Sequence, residues 1–194
     1  MFEPRPRRRL AVIAAVTVAL GSLLAGCSSA GDSTSSSKDA INYALPPNFT
    51  PNWILPIGTS GKLNTNNSSI AESLWEKLVA YDGATGTVAW QRDASVASDV
   101  AFDPSGTSVK ITLGPRTWSD GQPVTARDVQ FFYNLVKANK EDWANYNTGQ
   151  APDNWTSLTV VDDTHLVITF DKPYNTDWML ANELSMITPL PQHV

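Results

Sequence analysis

Cysteine and histidine are scarce in this chain. Its 194 residues include one cysteine, Cys27, and two histidines, His165 and His193. A disulfide or a thiolate metal cluster needs more than one cysteine, so neither can form within the chain. A serine or cysteine nucleophile needs a histidine base, and neither histidine has a setting typical of one. The sequence therefore argues against an enzyme and provides no catalytic or metal-ligating set.

Positive charge is also limited. The chain has 14 Lys and Arg against 19 Asp and Glu, and its formal net charge is −5. Four arginines and one glutamate lie before residue 27, so removing residues 1–26 leaves a formal net charge of −8. An acidic surface of this kind argues against nucleic acid as the main partner. No glycine-rich phosphate loop is present, and we expect no cofactor.

The first 26 residues have the composition of an export signal. The basic stretch "MFEPRPRRRL" leads into an apolar run that reaches Leu24 and ends in small residues. The length of this run and its alanine and glycine content favour a signal peptide over an anchor helix that is retained.

The lone cysteine lies directly after this signal. "LLAGC", residues 23–27, resembles the lipobox of bacterial lipoproteins, in which the cysteine receives a diacylglycerol and becomes the new N-terminus. The alternative is a buried free cysteine. Residues 27–39 are polar and rich in serine, as expected of a flexible tether. The sequence thus predicts a signal peptide over 1–26, a tether over 27–39 and a folded region over 40–194, with Cys27 as the lipidation site.

Local patterns predict helices and hairpins in the folded region. A Ser69/Glu72 capping box predicts a helix over about 69–80, and Thr125 with Asp128 predicts another over 126–139. Turn residues at 103–106 and 161–164 separate alternating strands and predict two hairpins. A short strand is predicted at 41–45 and a short helix at 175–184. The mixture indicates an α/β or α+β arrangement.

The order of these elements resembles the extracellular solute-binding proteins of family 5, which serve peptide-type ABC importers. The resemblance rests on "AESLWEKLVAYD", "SVKITL", "WSDGQPVTARDVQFFYNLV" and "VVDDTHLVITFDKPYNTDWMLANELSMITPLPQHV". It covers almost all of the chain after residue 40. One departure is Gly114-Pro115, where the family usually continues with a charged residue.

The resemblance implies an α/β, periplasmic-binding-protein-like fold of class II, peptide type, with a mixed sheet and flanking helices. Family members are much longer and close two lobes on a ligand, so we expect residues 40–194 to be a truncated first lobe. The implied function is capture of oligopeptides or similar solutes for an ABC permease. We expect the protein to be a monomer, which its lipid holds on the outer face of the cytoplasmic membrane.

In the family, the loop before the first helix and the loop after the second helix face the ligand cleft. The resemblance therefore implies ligand contacts at Leu63, Asn64 and Thr65, and at Trp143, Asn145 and Tyr146. The alternative for each residue is ordinary loop packing.

The residues alone leave two alternative functions for an envelope protein, a secreted hydrolase and a structural lipoprotein. A secreted hydrolase lacks a visible catalytic set, because the paired Asp162 and Asp163 occupy a turn in which aspartate is expected. A structural lipoprotein does not explain the long loops that carry Trp53, Trp143 and Trp155.

Overall fold

Helices alternate with pairs of strands along the chain. The computed structural model describes residues 44–47, 50–82 and 89–194. The helices are α1 (Thr65–Leu74), α2 (Ala126–Ala138) and α3 (Thr176–Asn182). The strands are β1 (Tyr81–Asp82), β2 (Ala89–Trp90), β3 (Ala97–Phe102), β4 (Ser108–Leu113), β5 (Trp155–Val160) and β6 (His165–Phe170). Short 3-10 turns lie at Arg92–Ala94, Lys140–Asp142 and Leu184–Met186.

The predicted signal peptide, Cys27 and the tether lie outside the described residues, as does most of the strand predicted at 41–45.

The main sheet has four strands in the order β3-β4-β6-β5, and each neighbouring pair is antiparallel. β1 and β2 form a separate antiparallel pair. Short turns join β3 to β4 and β5 to β6. A short turn reverses the direction of the chain, so the two strands that it joins pair antiparallel. Both predicted hairpins are confirmed, and so is the α/β class with helices beside a sheet. The expected mixing of parallel and antiparallel strands is not observed, because every pairing in the described residues is antiparallel.

The first hairpin turn is held by Asp103 and Gly106. The Asp103 carboxylate accepts hydrogen bonds from the Ser105 amide at 2.6 Å and from the Ser108 hydroxyl at 2.7 Å. Gly106 has a φ of +71°, a conformation that L side chains rarely adopt. A Cβ at this position would lie 2.9 Å from the carbonyl oxygen of Tyr174. The turn thus needs glycine both for its backbone and for the close approach of the segment before α3.

The core lies between the sheet and α2. Alternate residues of β4 and β6 are buried, as the two-residue period of a strand requires. One face of α2 is buried with them and comprises Val129, Phe132, Tyr133 and Val136. Tyr133 stacks on Trp155 with ring centroids 5.5 Å apart, and its hydroxyl donates to the Trp155 carbonyl at 3.2 Å. Each large apolar side chain buried in this way contributes about 1.5–3 kcal/mol.

The capping box of α2 confirms the predicted helix start. The Asp128 Oδ2 atom accepts a hydrogen bond from the Thr125 backbone amide at 2.7 Å, which satisfies a donor at the helix start. The helix ends at Ala138, one residue before the predicted end.

The prediction for the first helix is wrong in position. α1 begins at Thr65, because the Asn64 side chain accepts a hydrogen bond from the Asn67 amide and caps the helix there. It ends at Leu74, and residues 75–80 are not helical. Leu78 and Val79 are both fully buried. Their segment forms backbone bonds instead, from the Leu78 amide to the Ile187 carbonyl at 2.8 Å and from the Ala97 amide to the Leu78 carbonyl at 2.9 Å.

Candidate functional site

Asparagine side chains fasten the long loop before α1 to that helix. Asn67 is buried, and its Nδ2 donates to the Asn52 Oδ1 atom at 3.0 Å and to the Lys62 carbonyl at 2.7 Å. The Asn66 side chain donates to the Pro46 carbonyl at 3.0 Å. A loop of this length without secondary structure is often a binding loop, and these bonds give it a fixed path past the helix.

A cleft of about 380 Å³ lies beside this loop, along α1. It brings together Leu63 and Asn145, one from each of the two loops in which the family resemblance implied ligand contacts. Its other lining residues come from the loop before α1, from α1 and the residues just after it, and from the segment 185–188: Pro56, Ser68, Ala71, Glu72, Trp75, Lys77, Ser185, Met186 and Thr188. Its volume suits a small ligand, since such sites are typically about 300–1,000 Å³.

Charges of both signs lie in the cleft lining. Glu72 supplies a carboxylate and Lys77 an ammonium group. Neither belongs to an ion pair among those found in the described residues. Trp75 adds an indole ring whose Nε1 donates to the Ile54 carbonyl at 2.7 Å. The lining thus contains an acidic, a basic and an aromatic residue, of which Glu72 and Lys77 are exposed to solvent.

The structure does not bring all six sequence-predicted residues to this cleft. Asn64 lies next to Leu63, but its side chain caps α1, and Thr65 is exposed at the first turn of that helix. Trp143 is 5% exposed and packs edge-on against Phe132, with ring centroids 6.2 Å apart.

Trp143 and Tyr146 lie outside the cleft lining. Trp143 instead lines a separate, mainly apolar cavity of about 440 Å³ together with Trp53. The Tyr146 hydroxyl donates to Asp153 at 2.8 Å. Lys140 also donates to Asp153, at 2.7 Å, and this bond links the ends of the 140–153 loop. The same two bonds, first from Lys140 and then from Tyr146, lower the pKa of Asp153.

Sequence reasoning missed the contribution of the C-terminal segment. Ser185, Met186 and Thr188 line the cleft, although they lie more than a hundred residues from α1 in the sequence. No local pattern marks them, because their place beside α1 depends on long-range contacts such as the bond from the Leu78 amide to the Ile187 carbonyl. Trp75, directly after α1, is half-buried and also lines the cleft.

In residues 44–47, 50–82 and 89–194, none of the helices has the length and apolar composition of a membrane span. No group of three or more His, Cys, Asp or Glu residues there could hold a metal ion.

Comparison with known proteins places this fold. The profile of the family described as "Bacterial extracellular solute-binding proteins, family 5 Middle" matches residues 70–194. A binding protein of Brucella melitensis is 33% identical in a 97-residue alignment. The match covers 42% of this chain and 16% of that protein. This chain is therefore much shorter than the curated relatives that it matches.

Solved structures agree with this match. The oligopeptide-binding protein AppA from Bacillus subtilis, in complex with a nonapeptide, is 20% identical with a TM-score of 0.52, over 71% of this chain and 26% of that chain. NikZ from Campylobacter jejuni, in complex with Ni(L-His), is 22% identical with a TM-score of 0.50, over 64% of this chain and 23% of that chain. At these identities the likeness shows the fold, and it confirms the predicted periplasmic-binding-protein-like class. Since the family profile matches well over half of the residues, the chain belongs to family 5 of the bacterial extracellular solute-binding proteins.

Proposed function

We propose that this chain forms the first lobe of a receptor that captures oligopeptides or similar solutes outside the cytoplasmic membrane. The receptor delivers them to the permease of an ABC importer and acts as a monomer. The observation that carries the proposal is the cleft along α1, in which Glu72 and Lys77 offer charges of both signs beside the Trp75 ring. A short peptide has a free ammonium group, a free carboxylate and side chains between them, and it matches this lining.

Membrane attachment is the second part of the proposal. Cys27 follows the export signal and precedes the serine-rich tether, so we propose that it carries a diacylglycerol. A lipid would hold the acidic protein at the membrane without a basic surface. Mass spectrometry of membrane-extracted protein should show a diacylglyceryl adduct on Cys27. An intact Met1 terminus together with a free thiol would contradict this.

One lobe is expected to bind its ligand poorly. A clamshell receptor buries about 70–90% of a small ligand between its lobes, whereas one lobe leaves the other face of the ligand in water. The cost of association is then not offset. We expect the 194-residue chain to bind peptides weakly or not at all, and a full-length parent to bind them.

The test is calorimetric titration of both proteins with alanine tetrapeptide. Three forms of the peptide are compared: with both termini free, with the N-terminus acetylated, and with the C-terminus amidated. If Glu72 meets the ammonium end, Glu72→Gln in the parent should remove the preference for a free N-terminus. Lys77→Met should remove the preference for a free C-terminus. Glu141→Gln changes an exposed carboxylate outside the cleft and serves as the matched control.

Two results would count against the proposal. A parent that binds none of these peptides at millimolar concentration would oppose the proposed solute class. Micromolar binding by the 194-residue chain alone would show that the pocket lies within one lobe.

A further inference from the structure

The segment 189–193 crosses the N-terminal end of α2 and is bound there at three points. The Gln192 amide donates to the Asp128 Oδ1 atom at 2.9 Å, and the Leu190 amide donates to the Asp128 carbonyl oxygen at 3.3 Å. The His193 Nε2 atom lies 2.8 Å from the Asp120 Oδ2 atom. The Gln192 contact spans 64 positions of the sequence, and the His193 contact spans 73.

The two oxygens of the Asp128 carboxylate have different partners. Oδ2 faces the start of α2, where it accepts hydrogen bonds from the Thr125 amide at 2.7 Å and from the Thr125 hydroxyl at 3.1 Å. The Trp118 Nε1 atom lies 3.4 Å from the same oxygen. Oδ1 accepts from Gln192. Of these bonds, the capping box needs only the one from the Thr125 amide to the Asp128 carboxylate. The bond to Gln192 thus adds a second role, and Asp128 is only 3% exposed.

The residues just before this segment form one wall of the cleft. Ser185, Met186 and Thr188 line it. Between them, the Ile187 carbonyl accepts from the Leu78 amide at 2.8 Å. The wall is therefore held within its own length by Leu78, and the segment that follows it is held by Asp128 and Asp120.

We propose that residues 117–128, the loop before α2 together with the first turn of that helix, act as a clasp that sets the position of this wall, with Asp128 as the positioning residue. That the cleft takes a solute rests on the proposed function. The clasp itself does not, because it concerns the position of residues 185–192 without ligand. The stretch "TWSDGQPVTARD" would then influence solute affinity without touching the solute.

The competing explanation is that Asp128 only caps α2. Substitution of Asp128 removes both roles together and risks the fold, so the test changes the donor instead. Gln192→Pro deletes the backbone N–H and leaves the cap of α2 complete. Gln192→Ala removes the same side chain but keeps the N–H, and it is the matched control.

The two methionines of the folded region provide an internal comparison. Met186 is half-buried and lines the cleft, whereas Met179 is fully buried in the core. Hydroxyl-radical footprinting of the full chain without ligand measures the oxidation rate of each. Hydrogen exchange of the 186–192 region is measured on the same proteins.

In Gln192→Pro we expect faster oxidation of Met186 and about tenfold faster exchange in the 186–190 region, as loss of a hydrogen bond to a charged group implies. Met179 and the Gln192→Ala protein should match the unsubstituted chain. Unchanged Met186 and unchanged exchange in Gln192→Pro would overturn the clasp. Equal increases at Met179 and Met186 would also overturn it, because the segment would then move only with the whole fold.

A second measurement links the clasp to binding. In the full-length parent, Gln192→Pro should weaken binding of alanine tetrapeptide about tenfold relative to Gln192→Ala. If the parent binds no peptide at all, the proposed function fails, while the ligand-free footprint still decides the clasp. If peptide binds equally well to both variants, the clasp does not position the cleft.

Discussion

The buried carboxylate of Glu183 permits a quantitative test of the packing beside the sheet. Glu183 lies at the end of α3 and is fully buried. Its Oε1 atom accepts a hydrogen bond from the Asn154 side chain at 2.8 Å, and its Oε2 atom accepts one from the Trp155 Nε1 atom at 2.7 Å. Both donors are themselves buried, so neither can turn to water when the carboxylate is removed.

Glu183→Ala should therefore be strongly destabilising. Two buried donors lose their acceptor, and since each unsatisfied donor costs about 1–3 kcal/mol, we expect the free energy of unfolding to fall by about 2–6 kcal/mol. Glu183→Gln keeps the shape and one acceptor oxygen but sets an amide N–H against a donor, so it should cost about 1–3 kcal/mol. Glu141→Ala, an exposed glutamate elsewhere, should stay within about 0.5 kcal/mol of the unsubstituted chain.

The pH dependence has a definite sign. Burial raises the pKa of Glu183, and the hydrogen bonds from Trp155 and Asn154 oppose this only in part. With the folded pKa above the unfolded value, the group stabilises the fold fully below about pH 4.3, and this contribution is lost as pH rises through the folded pKa. Glutamine does not titrate. The stability advantage of the unsubstituted chain over Glu183→Gln should thus be largest near pH 4 and shrink toward neutral pH.

Urea denaturation of the full chain, followed by tryptophan fluorescence between about pH 4 and pH 8, measures these differences as midpoint shifts. The hydrogen-bond reasoning would be refuted if Glu183→Ala cost less than about 1 kcal/mol. The burial reasoning would be refuted if the advantage over Glu183→Gln grew as the pH rose.

Two further predictions concern the hairpin turns. Gly106→Ala should lower the free energy of unfolding by about 1–3 kcal/mol more than Gly121→Ala does. Both glycines have positive φ, but only at Gly106 would a Cβ lie against the Tyr174 carbonyl. Equal losses in thermal or urea unfolding would exclude this contact as the cause. Hydrogen bonds, first of all from His165, lower the pKa of Asp162 to about 2. Because this folded pKa is depressed, the turn is stabilised above the unfolded pKa and loses that contribution as pH falls toward 2; carboxyl-carbon NMR should give a midpoint near 2, and one near 4 would contradict the prediction.

The parts of the fold that were predictable have strong local causes. The turn at 103–106 contains aspartate, proline and glycine in the positions that the backbone requires. α2 starts where Thr125 and Asp128 satisfy each other's backbone donors. Each of these causes acts over a few residues, so one sequence suffices to find it.

The first helix shows where local reasoning fails. Ser69 and Glu72 have the spacing of a capping box, yet they lie inside α1, because Asn64 caps the helix earlier. The end of the helix depends on the burial of Leu78 beside Ile187, a contact that no short window contains. Propensity is a weak prior, and tertiary contacts override it here.

The candidate site was predictable to a similar extent. The family resemblance pointed to two loops, and the structure places Leu63 and Asn145 from them in one cleft. It did not point to Met186, which reaches the cleft through long-range pairing. Trp143 lies in a polar stretch of sequence, but its ring is buried against Phe132, a contact that the local sequence does not indicate.

The strand order of the main sheet also has a consequence for folding kinetics. β3 with β4, and β5 with β6, are local hairpins, which form in about 1–10 μs when isolated. The central pair, β4 with β6, joins strands separated by about 50 residues that include α2, so its loop-closure entropy is larger. We therefore expect this pairing to be the late, rate-limiting event in refolding. Substitutions at the β4–β6 seam should slow folding, whereas those in either outer strand should mainly speed unfolding.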